Sequence, residues 1–258
     1  MSIRIRNKNA ILELLKNGAD FEKIVLADDL MRDDLTKEIL SIANSQNVPI
    51  KKIPRRKMDK GRSGKSQEVL VGFLIPKNDW SLDNLLDDLL KRNCDPFFLL
   101  INRIGYANNI GLIARTAFAA GVNGLIFQAE KSQFFNEETL HFSMGAIARI
   151  PLVKMSVFEA LKELRKNNIK TFSLQMDGAA YFKENLSGPV AFVLGAEGKG
   201  VSEKVSSRCD KKLAIPMSQG IDSINVGASA AVILYEKVRQ EGMDYLTRNS
   251  QGRVFDKK

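Results

Sequence analysis

Beyond residue 95 the chain alternates between two kinds of apolar pattern. Residues 97–101, 124–127, 170–174, 190–194 and 212–215 are short, nearly continuous apolar runs. Residues 110–120, 157–166, 203–208 and 224–239 carry apolar positions at helical spacing. The first set reads as buried strands and the second as helices. Strand–helix alternation of this kind predicts an α/β fold with a parallel sheet covered on both faces. In such sheets ligands bind at the carboxyl ends of the strands.

The first 77 residues follow a different rhythm. Ile5, Ile11, Leu12, Leu14 and Leu15 make a helical stripe, residues 24–27 a short strand, and Leu35, Ile39, Leu40 and Ile42 a second helix. Residues 69–75 form an apolar, β-rich run that ends at Pro76. This predicts a small N-terminal α/β module over 1–77. An amphipathic helix through Leu82, Leu85, Leu86, Leu89 and Leu90 then connects, within 78–95, to a larger domain over 96–258.

Charge sharpens this division. The chain has 258 residues, with 39 Lys+Arg against 30 Asp+Glu, a net +9 that points to an anionic polymer as partner. Residues 1–77 hold 16 basic and 10 acidic side chains, so most of the excess belongs to the N-terminal module. It peaks in Lys51, Lys52, Arg55, Arg56, Lys57, Lys60, Arg62 and Lys65, opposed there only by Asp59. With Gly61, Ser63 and Gly64 this stretch reads as a flexible basic loop that grips phosphates, or as a solvated loop that only aids solubility.

Several chemistries are excluded. No apolar run approaches the roughly 18–20 residues of a membrane span, and the N-terminus lacks the apolar stretch of a secretory signal. A cytoplasmic location is expected. Two distant cysteines, Cys94 and Cys209, and one histidine, His141, offer no metal-ligand spacing, so no metal is expected. As a lone histidine in an apolar segment, His141 reads as a hydrogen-bonded core residue. The run Gly61-Arg-Ser-Gly64-Lys65-Ser66 lacks the first glycine of a nucleotide-binding loop, where Asp59 stands, and lacks the flanking strand and helix.

Three segments remain, each where a strand meets a loop. The first contains Asn109, Gly111 and Arg115, on a helix whose N-cap is expected at or near Asn109. The second is Leu194-Gly195-Ala-Glu197-Gly198-Lys-Gly200, a glycine-rich turn that allows close backbone approach to a ligand. The third runs from Ile215, Pro216 and Met217 to Ser223, Ile224 and Asn225, followed by small residues that open the next helix. Taken singly, each segment has an ordinary reading as a loop, a surface charge or a helix cap.

Together, in this order, they resemble the motifs of the SpoU/TrmH family of RNA ribose 2′-O-methyltransferases. The match is Asn109-x-Gly111-x-x-x-Arg115-Thr116, Leu194-Gly195-x-Glu197-Gly198-x-Gly200, and Ile215-Pro216-Met217 with Ser223-x-Asn225. It covers about residues 96–240. The N-terminal segment resembles the small substrate-binding domain of many members. Two places depart from the family pattern: Tyr106 and Ala107 stand where Asp-Pro is common, and Ile224 where leucine is usual.

The resemblance implies a parallel-sheet catalytic domain with a C-terminal trefoil knot, a homodimer, and S-adenosylmethionine as methyl donor. It implies Leu194, Gly195, Gly200, Ile215, Met217 and Ile224 around the cofactor. Arg115, Asn109, Glu197, Ser223 and Asn225 become the catalytic and substrate-holding set. The Arg115 equivalent is the family's usual base, at odds with the rule that arginine stays protonated. Either its surroundings perturb it, or it clamps a phosphate while water takes the proton. The implied substrate is RNA, with large-subunit ribosomal RNA favoured over transfer RNA. An antibiotic-resistance methyltransferase is a variant of this reading. A non-catalytic RNA-binding assembly factor is the alternative from another class.

Overall fold

The protein is described by a computed structural model covering residues 2–30, 33–58, 69–75, 80–196, 198, 200–219, 223–242 and 245–246. Two sheets organise these residues. The first contains β1 (Ile3–Ile5), β2 (Phe21–Ala27), β3 (Ile50–Ile53) and β4 (Leu70–Leu74), in the order β1-β4-β2-β3. Only the β2–β3 pair is parallel. Helices α1 (Lys8–Lys16) and α2 (Asp34–Ser45) cover it, their starts fixed by Asn7 and Asp33, whose side chains accept the backbone N–H of Ala10 and Thr36. These caps satisfy N–H groups that the first turn of a helix leaves unpaired. Ile11, Leu14, Leu15 and Ile39 are fully buried against Ile24 and Leu74.

The sequence expectation fails at two places here. Ile5 belongs to β1 and not to the helical stripe: it pairs with Gly72 of β4. The basic stretch is not loop throughout, because Lys51 and Lys52 sit on β3, paired with Val25 and Leu26, and Arg55–Lys57 form a 3-10 turn. Alternating Lys with Ile50 and Ile53 gives β3 a weak apolar signal that charge density masks.

The second sheet holds β5 (Phe97–Ile101), β6 (Gly124–Phe127), β7 (Leu152–Lys154), β8 (Lys170–Ala180), β9 (Val190–Leu194) and β10 (Lys211–Ala214). Their order is β10-β8-β9-β5-β6-β7, and every neighbouring pair is parallel. The helices of this part are α3 (Leu82–Lys91), α4 (Ala107–Ala119), α5 (Lys131–Phe134), α6 (Glu137–Phe142), α7 (Val157–Lys166), α8 (Glu203–Ser206) and α9 (Val226–Glu241). Side chains alternate between the two faces of a strand. Phe97, Leu99 and Ile101 accordingly pack with Ile110, Ile113, Ile233 and Leu234 of α4 and α9. Phe98 and Leu100 pack on the other side with Leu85 and Leu89 of α3 and Leu161 and Leu164 of α7. Burial on both faces is why these strands read as continuous apolar runs.

The two sheets meet along α6. The Arg6 guanidinium and backbone N–H both bind the Glu137 carboxylate, and the Asn7 amide lies 3.1 Å from His141 Nδ1. His141 is therefore an exposed contact to the N-terminal module, contrary to the core position expected for it. No described helix is long and apolar enough to cross a membrane, and no metal-ligating cluster occurs among the described residues.

Candidate functional site

The strand ends build the site. At β9 the chain leaves Leu194 into Gly195, and Ala196 bridges back to Gly200 with an N–H···O contact of 2.8 Å. A Cβ at Gly195 would lie 2.0–2.3 Å from the backbone of Gly200 and Val201. Only glycine allows the loop to close on itself this tightly.

The wall opposite comes from β8. Its pairing with β10 shifts register: Lys212 faces Ser173, but Leu213 faces Ala179. The intervening backbone swings out of the ladder, as in a large bulge. Leu174, Gln175, Met176 and Asp177, carried on this excursion, line a cavity of about 330 Å³. The Gln175 amide is anchored 2.7 Å from the Val201 carbonyl, tying the excursion to the end of the glycine loop.

All six residues expected around the cofactor, Leu194, Gly195, Gly200, Ile215, Met217 and Ile224, line this cavity, as does Ser223. The four lining residues from β8 escaped the sequence reading. The available signal was the apolar run at 170–174 giving way to Gln-Met-Asp-Gly without a turn pattern. The lining is mostly apolar, with glycine backbone and a carboxylate, Asp177, which accepts from Lys212 Nζ at 3.2 Å. A volume near 300 Å³ with apolar walls and few polar groups suits a small organic ligand.

Asn225 stands at the rim. It caps α9, its Oδ1 accepting the Gly227 N–H at 2.8 Å, and its Nδ2 donates to Asn109 Oδ1 at 3.1 Å. Asn109 is only 3% exposed. It is not the helix cap: Tyr106 holds that position, and Asn109 lies one turn inside α4. This placement lets its side chain reach α9 instead of its own backbone. The single hydrogen bond joins the first and third sequence segments across 116 residues.

Arg115 sits two turns along α4, exposed and outside the cavity lining. Leu112, one turn before it on the same face, is 44% exposed. Glu197 lies outside the described residues. Of the basic stretch, Lys51, Lys52, Arg56 and Lys57 are exposed, and Arg55 binds the Asp29 carboxylate at 2.8–3.0 Å. Lys60, Arg62 and Lys65 also lie outside the described residues. Cys209 is buried and its thiol is pushed up to about 12 by desolvation, so it is no nucleophile at neutral pH.

A parallel sheet with a cavity at the ends of β8, β9 and β10 defines a ligand-binding α/β domain, and comparison with known proteins gives its class. The SpoU rRNA Methylase family matches residues 96–235, and the family of RNA 2′-O ribose methyltransferase substrate-binding domains matches residues 8–72. A Bacillus subtilis protein named as a TrmH family tRNA/rRNA methyltransferase, YacO, is 28% identical over 90% of this chain and 94% of its own length. A 23S rRNA (guanosine-2′-O-)-methyltransferase, RlmB of Pseudomonas putida, is 28% identical over 92% and 96%. Among solved structures, the SpoU methyltransferase AviRb from Streptomyces viridochromogenes, in complex with AdoMet, superposes with a TM-score of 0.75. That alignment is 22% identical and covers 93% of this chain and 90% of AviRb. The chain belongs to the SpoU rRNA methylase family and is an RNA methyltransferase of the SpoU/TrmH type.

Proposed function

We propose that the protein transfers a methyl group from S-adenosylmethionine to a ribose 2′-hydroxyl of RNA, with large-subunit ribosomal RNA as substrate. The observation that carries this reading is the Asn225–Asn109 hydrogen bond. It ties the rim of a cofactor-sized cavity to the helix that carries Arg115. Support for ribosomal RNA comes from the N-terminal module and from the 23S rRNA activity that names the Pseudomonas putida relative.

The cavity fits the cofactor by its chemistry. Leu194, Leu213, Ile215, Met217 and Ile224 offer apolar walls for a flat purine, and the backbone of the glycine loop offers hydrogen bonds. When bound there, the cofactor supplies a methyl group on a sulfonium, already a strong electrophile. The remaining difficulty is the nucleophile, because a ribose hydroxyl is a weak acid. Holding its oxygen in line contributes up to about 7–11 kcal/mol in the best model systems. Ser223 and the Asn109–Asn225 pair are placed to hold the ribose. Arginine keeps its charge at all ordinary pH values, so we assign Arg115 to gripping the adjacent phosphate and stabilising the developing alkoxide, with the proton leaving to water. Glu197 orients the glycine loop in this scheme.

The exposed Arg115 and Leu112, outside their own cavity, fit a homodimer in which the face of α4 is covered by a second copy. A C-terminal trefoil knot belongs to the same reading. Residues 1–77 would deliver RNA through the positive charge of Lys51, Lys52, Arg55, Arg56, Lys57, Lys60, Arg62 and Lys65. The test combines calorimetry with S-adenosylmethionine and mapping of ribose methylation on total RNA with and without the gene. One lost 2′-O-methyl site in large-subunit RNA is expected. Cofactor binding without any lost site, or no cofactor binding, would leave an assembly factor.

A further inference from the structure

Tyr106 occupies a position that its own chemistry does not explain. It stands at the N-cap of α4, yet its side chain makes no capping hydrogen bond. Ser, Thr, Asp or Asn would stabilise that helix start by about 1 kcal/mol. Nor does its ring contribute to the core, being 72% exposed.

The ring borders an open groove of about 590 Å³, whose other walls include Asn108, Gln133, Asn136, Glu138 and Phe142. Asn136 is committed to the start of α6, accepting from the N–H groups of Glu138 and Thr139 and donating to the Gln133 carbonyl at 3.0 Å. It thereby fixes the backbone that carries the Gln133 side chain. Phe142 is pressed onto α4, since a Cβ at Gly111 would lie 2.4 Å from Phe142 Cβ. The walls are thus held by packing and capping. The amides of Asn108 and Gln133 are exposed, with no partner among the described residues.

An aromatic face with two side-chain amides and the Glu138 carboxylate in its wall suits a nucleobase, whose amino and ring N–H groups donate, better than a phosphate. Each amide offers both donors and acceptors for a base edge. Base–aromatic stacking contributes about 1–3 kcal/mol. We propose that this groove holds the base of the nucleotide to be methylated, flipped out of its stack, with Tyr106 against its face and Asn108 and Gln133 at its edge. The proposal rests on the RNA ribose methylation proposed above. The spacing supports it. Asn108 is the neighbour of Asn109, whose side chain bonds Asn225 at the rim of the cofactor-sized cavity. A base at Asn108 then lies beside the Asn109–Asn225 pair assigned above to the ribose. Base flipping costs a few kcal/mol, and a preformed stacking partner offsets part of that.

The test uses the full-length protein with in-vitro-transcribed large-subunit rRNA, and with transfer RNA in parallel. Tyr106→Ala is expected to raise KM for RNA by roughly 5- to 100-fold, the scale of one lost stack. Tyr106→Phe, which keeps the ring, should restore it. Gln133→Ala should relax the preference for one base at the target position. Cofactor affinity and sedimentation should match wild type in all three. An unchanged KM in Tyr106→Ala with an unchanged base preference in Gln133→Ala overturns the groove assignment alone. A KM loss that tracks dimer dissociation also overturns it, reassigning Tyr106 to a subunit contact. A wild-type protein that methylates neither RNA overturns the underlying activity, and the groove with it.

Discussion

The two ends of α9 solve opposite problems with the same helix. At its start, Asn225, Gly227 and Ser229 are small or capping residues, and beside them the cavity stays open. At its end, the polar side chains from Glu236 to Glu241 all have partners. Lys237, 1% exposed, donates to the Gly188 carbonyl at 2.9 Å and to the Glu241 carboxylate, beneath the rings of Phe97 and Tyr245. Gln240 bonds Leu186 N–H, the Glu184 carbonyl and Glu236, and Glu241 accepts the Gly188 N–H at 2.7 Å. The closed end stitches the loop before β9 onto α9, and so fixes the strand whose far end forms the cavity. Open space for a ligand at one end is matched by a filled, bonded anchor at the other.

Breaking the anchor has the largest expected effect. Lys237→Ala removes one partner of a buried pair and leaves Glu241 facing an empty site, a loss of about 3–5 kcal/mol by denaturant titration. Lys237→Met, which refills the volume but leaves Glu241 without its ammonium partner, should recover only the cavity part of that loss. The pH dependence separates the two wild-type roles of this lysine. Desolvation pulls the Lys237 ammonium below its ordinary value of 10.5, against the opposing pull of Glu241. The unfolded chain then binds that proton more tightly than the folded one. The cost of keeping it charged is full below the folded value and fades as pH rises towards 10.5. Stability of wild type relative to Lys237→Met should therefore rise with pH in the alkaline range. A flat difference between pH 7 and 10.5 would refute the desolvated ammonium.

At the open end the effects fall on chemistry. Arg115→Ala should reduce methyl transfer by about 10² or more, the scale of one lost transition-state donor. Cofactor affinity and melting temperature should barely move, because Arg115 is exposed and outside the cavity lining. Near-normal turnover would remove Arg115 from the mechanism. Gly195→Ala sits between the two classes. Its Cβ would meet the backbone of Gly200 and Val201 at 2.0–2.3 Å, and overpacking of this kind costs about 1–3 kcal/mol. The strain is expected in cofactor affinity, weakened roughly 10- to 100-fold by calorimetry, since the displaced Gly200 lines the cavity. Unaltered affinity would mean that the loop's closure is not what shapes the pocket.

The contrast also explains which parts of the molecule were legible in its sequence. Strands β5, β6 and β9 are buried on both faces, so an unbroken apolar run marks their ends at Phe97–Ile101, Gly124–Phe127 and Val190–Leu194. Strand β7, three residues long, and the short α5 and α6 carry too few positions to show a period. The backbone excursion of β8 depends on its partner β10, 30-odd residues on, and no local pattern encodes it. The cavity-lining residues of the second and third segments were legible because their spacing follows a family motif. Tyr106 and Gln133 follow none, and no local pattern marks Lys237 as buried. Its burial is set by Phe97 and Tyr245, from distant parts of the chain.

The smallest change probes how finely the open end is tuned. Replacing Gly227 by alanine in α9 favours the helix by about 0.5–1 kcal/mol. The new Cβ, however, would lie 3.0 Å from Asn225 Oδ1 and 3.4 Å from Leu112 Cβ. Neither contact is impossible, but Asn225 must yield by a few tenths of an ångström. The two terms nearly cancel in stability, so the melting temperature should shift by less than about 2 °C. They do not cancel in catalysis, because the Asn225 side chain that yields is the one bonded to Asn109. A several-fold fall in kcat at unchanged melting temperature is the expected signature. If both stay at wild-type values, the Asn225–Asn109 bond tolerates displacement, and the open end of α9 is less finely set than the closed end that holds Lys237.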